Sequence, residues 1–335
     1  MINRRALLKT AALGAAQTVA LPYLAREGFA QTAAHVLKLT MADTRNHPLY
    51  QVLLRFADNV KKKTNGAVEV QVFGTGELGS QLNILTGLQT GIIDLCAHTS
   101  GFIDTLFPQF QVMDLPFLFP DLARGERVLD GPVGKQLANL MPSKGIYALS
   151  YGYWGWRVTS TVDRKVPEPK DMKGLKIRVQ PGPIFAATYR ALGANPIAID
   201  FSEIYLALSQ RTIEAIETPI ISLPAAKHYE VVKNINLTNH VYNAGVLMVS
   251  KRKFDSLPAN LQASLREAAT EMTPDWRKSM VEKTAETTVF LKEKGLSIDE
   301  VDRDAYRKQT HSVYTEFRGI IGPDLFDTVI KQVGI

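Results

Sequence analysis

Residues 174–219 read GLKIRVQPGPIFAATYRALGANPIAIDFSEIYLALSQRTIEAIETP, and this stretch decides the fold. Apolar and polar residues alternate through residues 175–180, which predicts a strand with one face in a core, and Pro181-Gly182-Pro183 ends it. In open α/β sheets ligands bind beyond the carboxyl ends of the strands, and Arg178 stands near such an end. Because a guanidinium is a rigid fork that matches a carboxylate, Arg178 predicts a site for an organic anion.

The segment upstream of this stretch predicts a parallel sheet. Strand and helix patterns alternate between residues 37 and 100 in a βαβαβ order. The predicted strands cover residues 36–42, 68–72 and 92–97, and the predicted helices cover residues 48–63 and 82–88. The chain is therefore expected to have an α/β fold.

The N-terminus has the features of an export signal. Arg4 and Arg5 precede a mildly apolar run and the small-residue site Gly28-Phe29-Ala30, which indicates a twin-arginine-type signal, residues 1–30, cleaved near Ala30. Loss of this segment removes four basic residues and one acidic residue and lowers the formal net charge from +6 to +3. The mature protein is therefore expected in a bacterial periplasm.

The length and the extended segments predict two discontinuous domains. About 305 of the 335 residues remain after cleavage, which is more than one core usually serves. A strand predicted over residues 149–161 leaves the first domain, and a second extended stretch at 243–249 crosses back. The downstream pattern predicts helices over 258–272 and 274–292, which separate at a proline, and a short strand near 296–301.

Several classes of function have little support in the residues. No stripe of Lys and Arg interleaved with aromatic residues survives beyond the signal, so nucleic-acid binding is not expected. The six histidines show no i, i+4 pair, Cys96 is the only cysteine, and no nucleophile elbow occurs. We therefore expect no metal site, no intramolecular disulfide and no enzymatic activity.

A glycine motif leaves one alternative open. Residues 74–79, GTGELG, match G-x-G-x-x-G between a predicted strand and helix, as in a dinucleotide site. The acidic residue expected at the end of the next strand is lacking, because Asp94 lies near that strand's start. A glycine-rich turn is favoured, and a periplasmic oxidoreductase with a dinucleotide or flavin cofactor is the alternative hypothesis.

Polar residues gather at predicted strand ends and turns. Asp200 and Glu203 have the spacing of a helix-capping box, and Phe201 beside them suits either a core or a ligand contact. The alternation of side chains along the predicted strand favours core packing for Trp154 and Trp156. The polar candidates at the other ends and turns are Asn46, His47, His98, Thr99, Ser100, Arg157, Arg178 and Thr218.

These features together resemble a known family. The chain is similar to the DctP-type solute receptors of tripartite ATP-independent periplasmic (TRAP) transporters from about residue 37 to near the C-terminus. The segments that carry the resemblance are Gly155–Ser160, Lys176–Val179, Gly193–Pro196, Phe201–Leu208, Glu217–Pro219, Val72–Gly79 and Leu115–Phe119.

The resemblance implies a type II periplasmic-binding-protein fold, in which two α/β domains surround a ligand cleft and are linked by crossing strands and a long helix. Domain I would comprise residues 35–154 plus 244–283, and domain II residues 155–243 plus 284–335. It implies a receptor that captures a small organic acid and delivers it to TRAP membrane subunits, with no cofactor. A monomer is the default expectation.

The resemblance also implies roles for particular residues. Arg178 matches the arginine that pairs with the ligand carboxylate, Arg157 matches a second, supporting arginine, and Phe201 matches a residue that lines the cleft. Thr218 stands where sialic-acid-binding members carry asparagine, which removes an amide donor. The remaining predicted ligand-binding residues are Asn46, Glu77, Thr99, Ser100, Tyr153 and Asn243.

Overall fold

The computed structural model describes residues 33–334. The predicted export signal, residues 1–30, lies outside this part of the chain. Within residues 33–334 the strands form two sheets, and no helix there has the length and apolar character needed to cross a membrane.

The first sheet contains five strands in the order β2-β1-β3-β10-β4. Strands β1, β2 and β3 pair in parallel, as the alternating pattern predicts, whereas β10 pairs antiparallel with both β3 and β4. These strands are β1 (His35–Thr40), β2 (Val68–Phe73), β3 (Leu95–Thr99), β4 (Ile146–Tyr153) and β10 (Ala244–Ser250).

The second sheet contains six strands in the order β11-β9-β5-β8-β6-β7. The strand predicted at 175–180 is β6, which pairs in parallel with β7 and β8. The six strands are β5 (Arg157–Thr161), β6 (Lys176–Val179), β7 (Asn195–Ala198), β8 (Ala215–Pro219), β9 (Asn234–Val241) and β11 (Ser297–Asp299).

Thirteen α-helices cover the sheets within residues 33–334. The first predicted helix is confirmed over Pro48–Lys63, where His47 caps the N-terminus and three lysines lie in the last turn. The helices are α1 (Pro48–Lys63), α2 (Gln81–Thr90), α3 (Ser100–Ile103), α4 (Leu122–Asp130), α5 (Pro132–Leu140), α6 (Pro183–Ala191), α7 (Ile204–Ser209), α8 (Ser222–Ala225), α9 (Lys251–Asp255), α10 (Ala259–Glu293), α11 (Arg303–Gln309), α12 (Ser312–Ile321) and α13 (Pro323–Val333).

The chain crosses between the sheets at two short breaks. The single strand predicted over 149–161 is wrong, because β4 ends at Tyr153 in the first sheet and β5 begins at Arg157 in the second. Gly155 lies between them with φ +123°, and a Cβ there would lie 2.9 Å from Pro219. The return crossing follows β9, where Asn243 has φ +51°. We call the structure around the first sheet lobe 1 and that around the second sheet lobe 2.

One helix replaces the two that the sequence predicts after residue 258. Helix α10 runs for 35 residues with Pro274 inside it, so the predicted break is wrong. A proline inside a helix costs about 3 kcal/mol, but buried residues on both sides of it, including Met272 and Trp276, pack against the rest of lobe 1. Burial of this apolar stripe offsets the missing hydrogen bond.

The apolar interior continues from one lobe to the other. One cluster of buried side chains includes strand residues of both sheets, such as Leu247 and Ile177. A second, smaller cluster lies in lobe 2. The last helix, α13, packs its buried face against α4 and α5 of lobe 1, although residues 284–335 were expected in domain II.

The packing of α10 on the first sheet predicts the effect of one added methyl group. A Cβ at Gly152 would lie 2.1 Å from the Trp276 indole, so Gly152→Ala must displace this buried ring. We expect a loss of roughly 1–3 kcal/mol of unfolding free energy, measured by urea denaturation. Gly319→Ala is the control, because nothing lies within 4 Å of its Cβ and alanine favours a helix. Equal stability of the two variants would contradict this packing.

Candidate functional site

A small cavity lies where the two lobes meet. It has a volume of about 30 Å³, which is room for about two water molecules. A larger molecule therefore reaches the cavity walls only when the lobes move apart. The lining residues are Asp43, Gln81, His98, Thr99, Trp154, Arg157, Arg178, Gln180, Phe201, Thr218, Pro219, Ser222 and Asn243.

Arg178 lies in the wall of this cavity near the end of β6. Its side chain is only 2 % exposed. The Nε group donates to the Ile199 carbonyl oxygen at 2.9 Å, and neither Nη atom donates a hydrogen bond to another described residue. Burial lowers the pKa of Arg178 to about 10, which leaves the guanidinium charged at neutral pH.

Glu217 is the buried counter-ion behind the cavity. It is fully buried in β8, forms an ion pair with Arg157, and lies 3.9 Å from the Arg178 guanidinium. Its Oε1 accepts the backbone N–H of Gln180 at 2.8 Å. Burial by itself would raise the pKa of this carboxyl, but the two arginines and His240 outweigh burial and lower it to about 2. Glu217 therefore remains an anion over the usual pH range.

Each of the three side-chain nitrogens of Arg157 donates to a protein group. Nε pairs with the Glu217 carboxylate, Nη2 donates to the Glu217 carbonyl oxygen at 2.8 Å, and Nη1 donates to Asn243 Oδ1 at 3.3 Å. The guanidinium also lies over the Phe185 ring, 5.1 Å from its centroid. Of the two predicted arginines, Arg178 is thus the one whose terminal nitrogens are available.

The cavity brings several other predicted residues together with Arg178. Asn243 is fully buried, and its Nδ2 has no partner among the described residues. Thr99 Oγ1 accepts from Gln180 Nε2 at 2.9 Å, and Thr218 is also buried. Phe201 is partly exposed and packs edge-on against the His228 ring, 5.5 Å away. Trp154, expected in the core, is buried but also lines the cavity.

The structure places the other four predicted residues outside the cavity lining. Ser100 is buried behind it, where its hydroxyl donates to Asp114 at 2.7 Å, and Tyr153 packs against the Tyr242 ring. Asn46 is exposed, and Glu77 forms a surface ion pair with Arg45 at 2.8 Å. These four residues were predicted from their positions at strand ends and turns, but their side chains do not line the cavity.

The glycine motif at residues 74–79 forms a turn. Gly76 and Gly79 have positive φ angles of +63° and +119°, and Thr75 N–H donates to the Asp43 carbonyl oxygen. The N–H groups of Glu77 and Gly79 donate to carbonyl oxygens within the turn, so they are not free to bind a phosphate. This geometry matches the favoured interpretation of the motif and gives no support to a dinucleotide site.

Sequence reasoning did not select several residues that line the cavity. Asp43 follows β1, and Gln81 begins α2. Their positions next to the edge of the sheet could therefore have identified both residues as candidates for the cavity lining. His98, noted as a strand-end residue, is neutral because burial lowers its pKa to about 3. Gln180, Pro219 and Ser222 complete the set that was not selected.

Three hydrogen bonds join the lobes across the mouth of the cavity. Gln180 of lobe 2 donates to Thr99 of lobe 1, as described above. Thr44 Oγ1 donates to the Ala225 carbonyl oxygen at 2.8 Å. The backbone N–H of Gln81, in the first turn of α2, donates to Asp200 Oδ2 at 3.4 Å. The structure therefore describes a closed arrangement of the cleft.

The comparison with protein families agrees with this architecture. The family described as bacterial extracellular solute-binding protein, family 7 (DctP), matches residues 39–319. The chain belongs to the DctP family of TRAP solute-binding proteins. A curated relative, the 2,3-diketo-L-gulonate-binding periplasmic protein YiaO of Escherichia coli, is 34% identical over 275 residues, which cover 82% of this chain and 84% of the relative.

Solved structures confirm the type II periplasmic-binding-protein fold. The sugar acid binding protein DctPAm of Advenella mimigardefordensis, in complex with galactonate, superposes with a TM-score of 0.88 at 28% identity and covers 90% of this chain and 99% of its own. A TRAP periplasmic solute binding protein of Sulfurospirillum deleyianum with bound succinate gives 0.84 at 30% identity, with coverage of 89% and 99%. The family's proteins are solute receptors of the periplasm that bind small organic acids.

The buried Glu217 predicts a stability effect that depends on pH. Glu217→Gln leaves two buried arginines without their counter-ion, and we expect a loss of roughly 3–5 kcal/mol of unfolding free energy at pH 7. A lowered pKa in the folded state stabilises the protein above the ordinary value of 4.5, and this stabilisation is lost as the pH falls towards about 2. The difference in unfolding free energy between wild type and Glu217→Gln should therefore become smaller as the pH falls from 4.5 towards about 2.

Denaturation of both proteins at several pH values measures this difference. Glu77→Gln is the matched control, because it removes a carboxylate from an exposed ion pair and should change stability little. A Glu217→Gln protein as stable as wild type at pH 7 would show that the buried carboxylate is not needed to hold the arginines.

Proposed function

We propose that this protein is a periplasmic receptor that binds a small organic acid by its carboxylate at Arg178 and delivers it to the membrane subunits of a TRAP transporter. The observation that carries the proposal is a buried guanidinium whose Nη groups have no hydrogen-bond partner among the described residues, beside a cavity between two lobes. A buried cation with unused donors suits an anionic ligand, because both groups gain from a charge-assisted pair.

The affinity of such a site agrees with a transport receptor. Charge-assisted hydrogen bonds contribute roughly 1.5–3 kcal/mol each. Two from Arg178 and one or two from neighbouring donors, together with contact on Phe201, would approach the ~8 kcal/mol of a micromolar complex. The unpartnered Asn243 Nδ2 and the hydroxyl of Thr218 are the neighbouring donors that we assign to the ligand.

In this proposal Arg157 acts as a positioning residue. Its donors hold Glu217 and Asn243, and Glu217 in turn lies against Arg178. Arg157 therefore fixes Asn243, which lines the cavity, and Glu217, which lies behind Arg178, and leaves the direct carboxylate contact to Arg178. The same ion pair offsets part of the positive charge of the site, so the bound anion need not neutralise two cations.

Closure of the lobes is the step that we propose to couple binding to delivery. We propose that the lobes correspond to domains of residues 35–154 plus 244–283 and 155–243 plus 284–335, joined at the two short crossings and through α10, with α13 packed back on lobe 1. A ligand that contacts Arg178 from lobe 2 and residues such as Asp43 or Thr99 from lobe 1 favours the closed state. The membrane subunits would then recognise the closed form of a receptor that is exported by the twin-arginine signal and acts as a monomer without cofactor.

Replacement of Arg178 tests the proposal. Arg178→Ala should abolish acid binding in calorimetry, and Arg178→Lys should weaken it by roughly 100-fold, since a point charge cannot reproduce the planar fork. Arg190→Ala, which removes an exposed arginine of α6, is the control and should bind as wild type does. The screen uses hydroxy acids, monocarboxylates and dicarboxylates, with dinucleotides to test the oxidoreductase alternative.

The proposal fails if Arg178→Ala binds the acid with unchanged affinity. It also fails if the wild-type protein binds no acid in the screen, or if a dinucleotide but no carboxylate raises its melting temperature.

Arg157→Ala should give a different pattern of loss. Because Arg157 is the nearer partner of the buried Glu217, its removal should destabilise the fold by roughly 3–5 kcal/mol and weaken acid binding less than Arg178→Ala does. Denaturation and calorimetry on the same preparations separate the two effects. A stable Arg157→Ala protein that no longer binds any acid would instead place Arg157 in direct contact with the ligand.

A further inference from the structure

We propose that the ligand is a hydroxylated monocarboxylate and that Asp43 selects it by accepting a hydrogen bond from a ligand hydroxyl. This inference rests on the proposed function, because it assumes that the single carboxylate lies at Arg178. It adds the chemical class of the acid, which the arginine by itself does not determine.

Asp43 contributes a carboxyl group to the lobe 1 wall of the cavity. Its side chain is about 7 % exposed, and no other described residue donates a hydrogen bond to its carboxyl oxygens. The nearest cationic candidate on its own lobe, His47 Nε2, is 4.0 Å from Oδ1, and burial lowers the pKa of this histidine. The carboxyl oxygens are therefore available at the cavity wall to accept a hydrogen bond from a ligand hydroxyl.

A second polar group on the lobe 1 wall also suits hydroxyl groups. His98 Nδ1 accepts the backbone N–H of Thr99 at 2.8 Å, so the neutral ring carries its proton on Nε2. The Gln81 side-chain nitrogen is placed 3.1 Å from this Nε2, which would set two N–H groups against each other, so we assign the amide the reversed orientation with its oxygen towards His98. In that orientation the Gln81 NH₂ group takes the buried amide position that has no partner among the described residues, and it can donate to a ligand oxygen.

The charges around the cavity disfavour a second carboxylate. Arg157 is paired with Glu217, which leaves Arg178 to meet the first carboxylate of the ligand. A dicarboxylate would bring its second negative charge to Asp43, where no cation of lobe 1 faces the cavity. A hydroxyl group there donates to Asp43 and accepts from Gln81, so both polar groups of the wall are satisfied.

Calorimetry with acids matched in carbon number tests the inference. The pairs compare hydroxylated monocarboxylates with dicarboxylates of three to six carbons, such as erythronate with succinate, and add the plain monocarboxylate butyrate. Wild type should bind the best hydroxy acid roughly 100-fold more tightly than the matched dicarboxylate and roughly tenfold more tightly than the plain acid. Asp43→Asn should lose roughly tenfold for the hydroxy acid and gain roughly tenfold for the dicarboxylate.

Asp58→Asn is the matched control, because it removes a carboxylate from an exposed position of α1 and should not alter the preference. Wild-type protein that binds the dicarboxylate as tightly as the hydroxy acid overturns the inference without any variant. An Asp43→Asn protein that weakens both ligands equally also overturns it. If a dicarboxylate binds and Arg178→Ala abolishes that binding, the proposed function stands and only this inference is lost.

Discussion

The buried carboxylate of Glu217, held between two arginines, is the interaction on which the site depends. An arginine at the end of a strand is ordinarily solvated, but Arg178 is buried, and burial of a charge is tolerated only with a partner. Glu217 supplies that partner at 3.9 Å, which is close enough to compensate the charge and too far to occupy its donors. Arg157 takes the nearer position and saturates the carboxylate. The division of roles between two similar side chains thus follows from their distances to one anion.

The walls of the cavity come from both lobes because two of the crossings between the sheets, after β4 and after β9, lie at the cavity. The break after β4 places Trp154 and Arg157 at the junction, and the return crossing places Asn243 there with a left-handed backbone. Helix α10 packs across lobe 1, where its Trp276 fills the space above two glycines. Three hydrogen bonds between the lobes accompany the closed arrangement.

Desolvation gives the cavity its chemical selectivity. Burial keeps His98 neutral and leaves Asn243 Nδ2 without a partner among the described residues, so each such atom requires a partner of complementary kind. Lobe 2 offers donors and positive charge, whereas lobe 1 offers a carboxyl group at Asp43. In the proposed function, a small acid that matches this polarity would satisfy both walls at once, and this would favour closure of the lobes.

The sequence by itself determined the α/β class, the parallel strand pairing at the start of the chain and the helix at Pro48–Lys63, and it singled out Arg178 as a candidate. These features depend on local periodicity, capping and turn residues, which a single sequence displays. The break at Gly155, the continuity of α10 through Pro274, and the pairing of Arg157 with Glu217, 60 residues apart, needed the tertiary structure. Each depends on contacts between distant segments, and local pattern carries no information about which side chains meet there. For the same reason, the sequence could not show that Asp43 lines the cavity between the lobes, or that Glu77 and Tyr153 lie outside the lining.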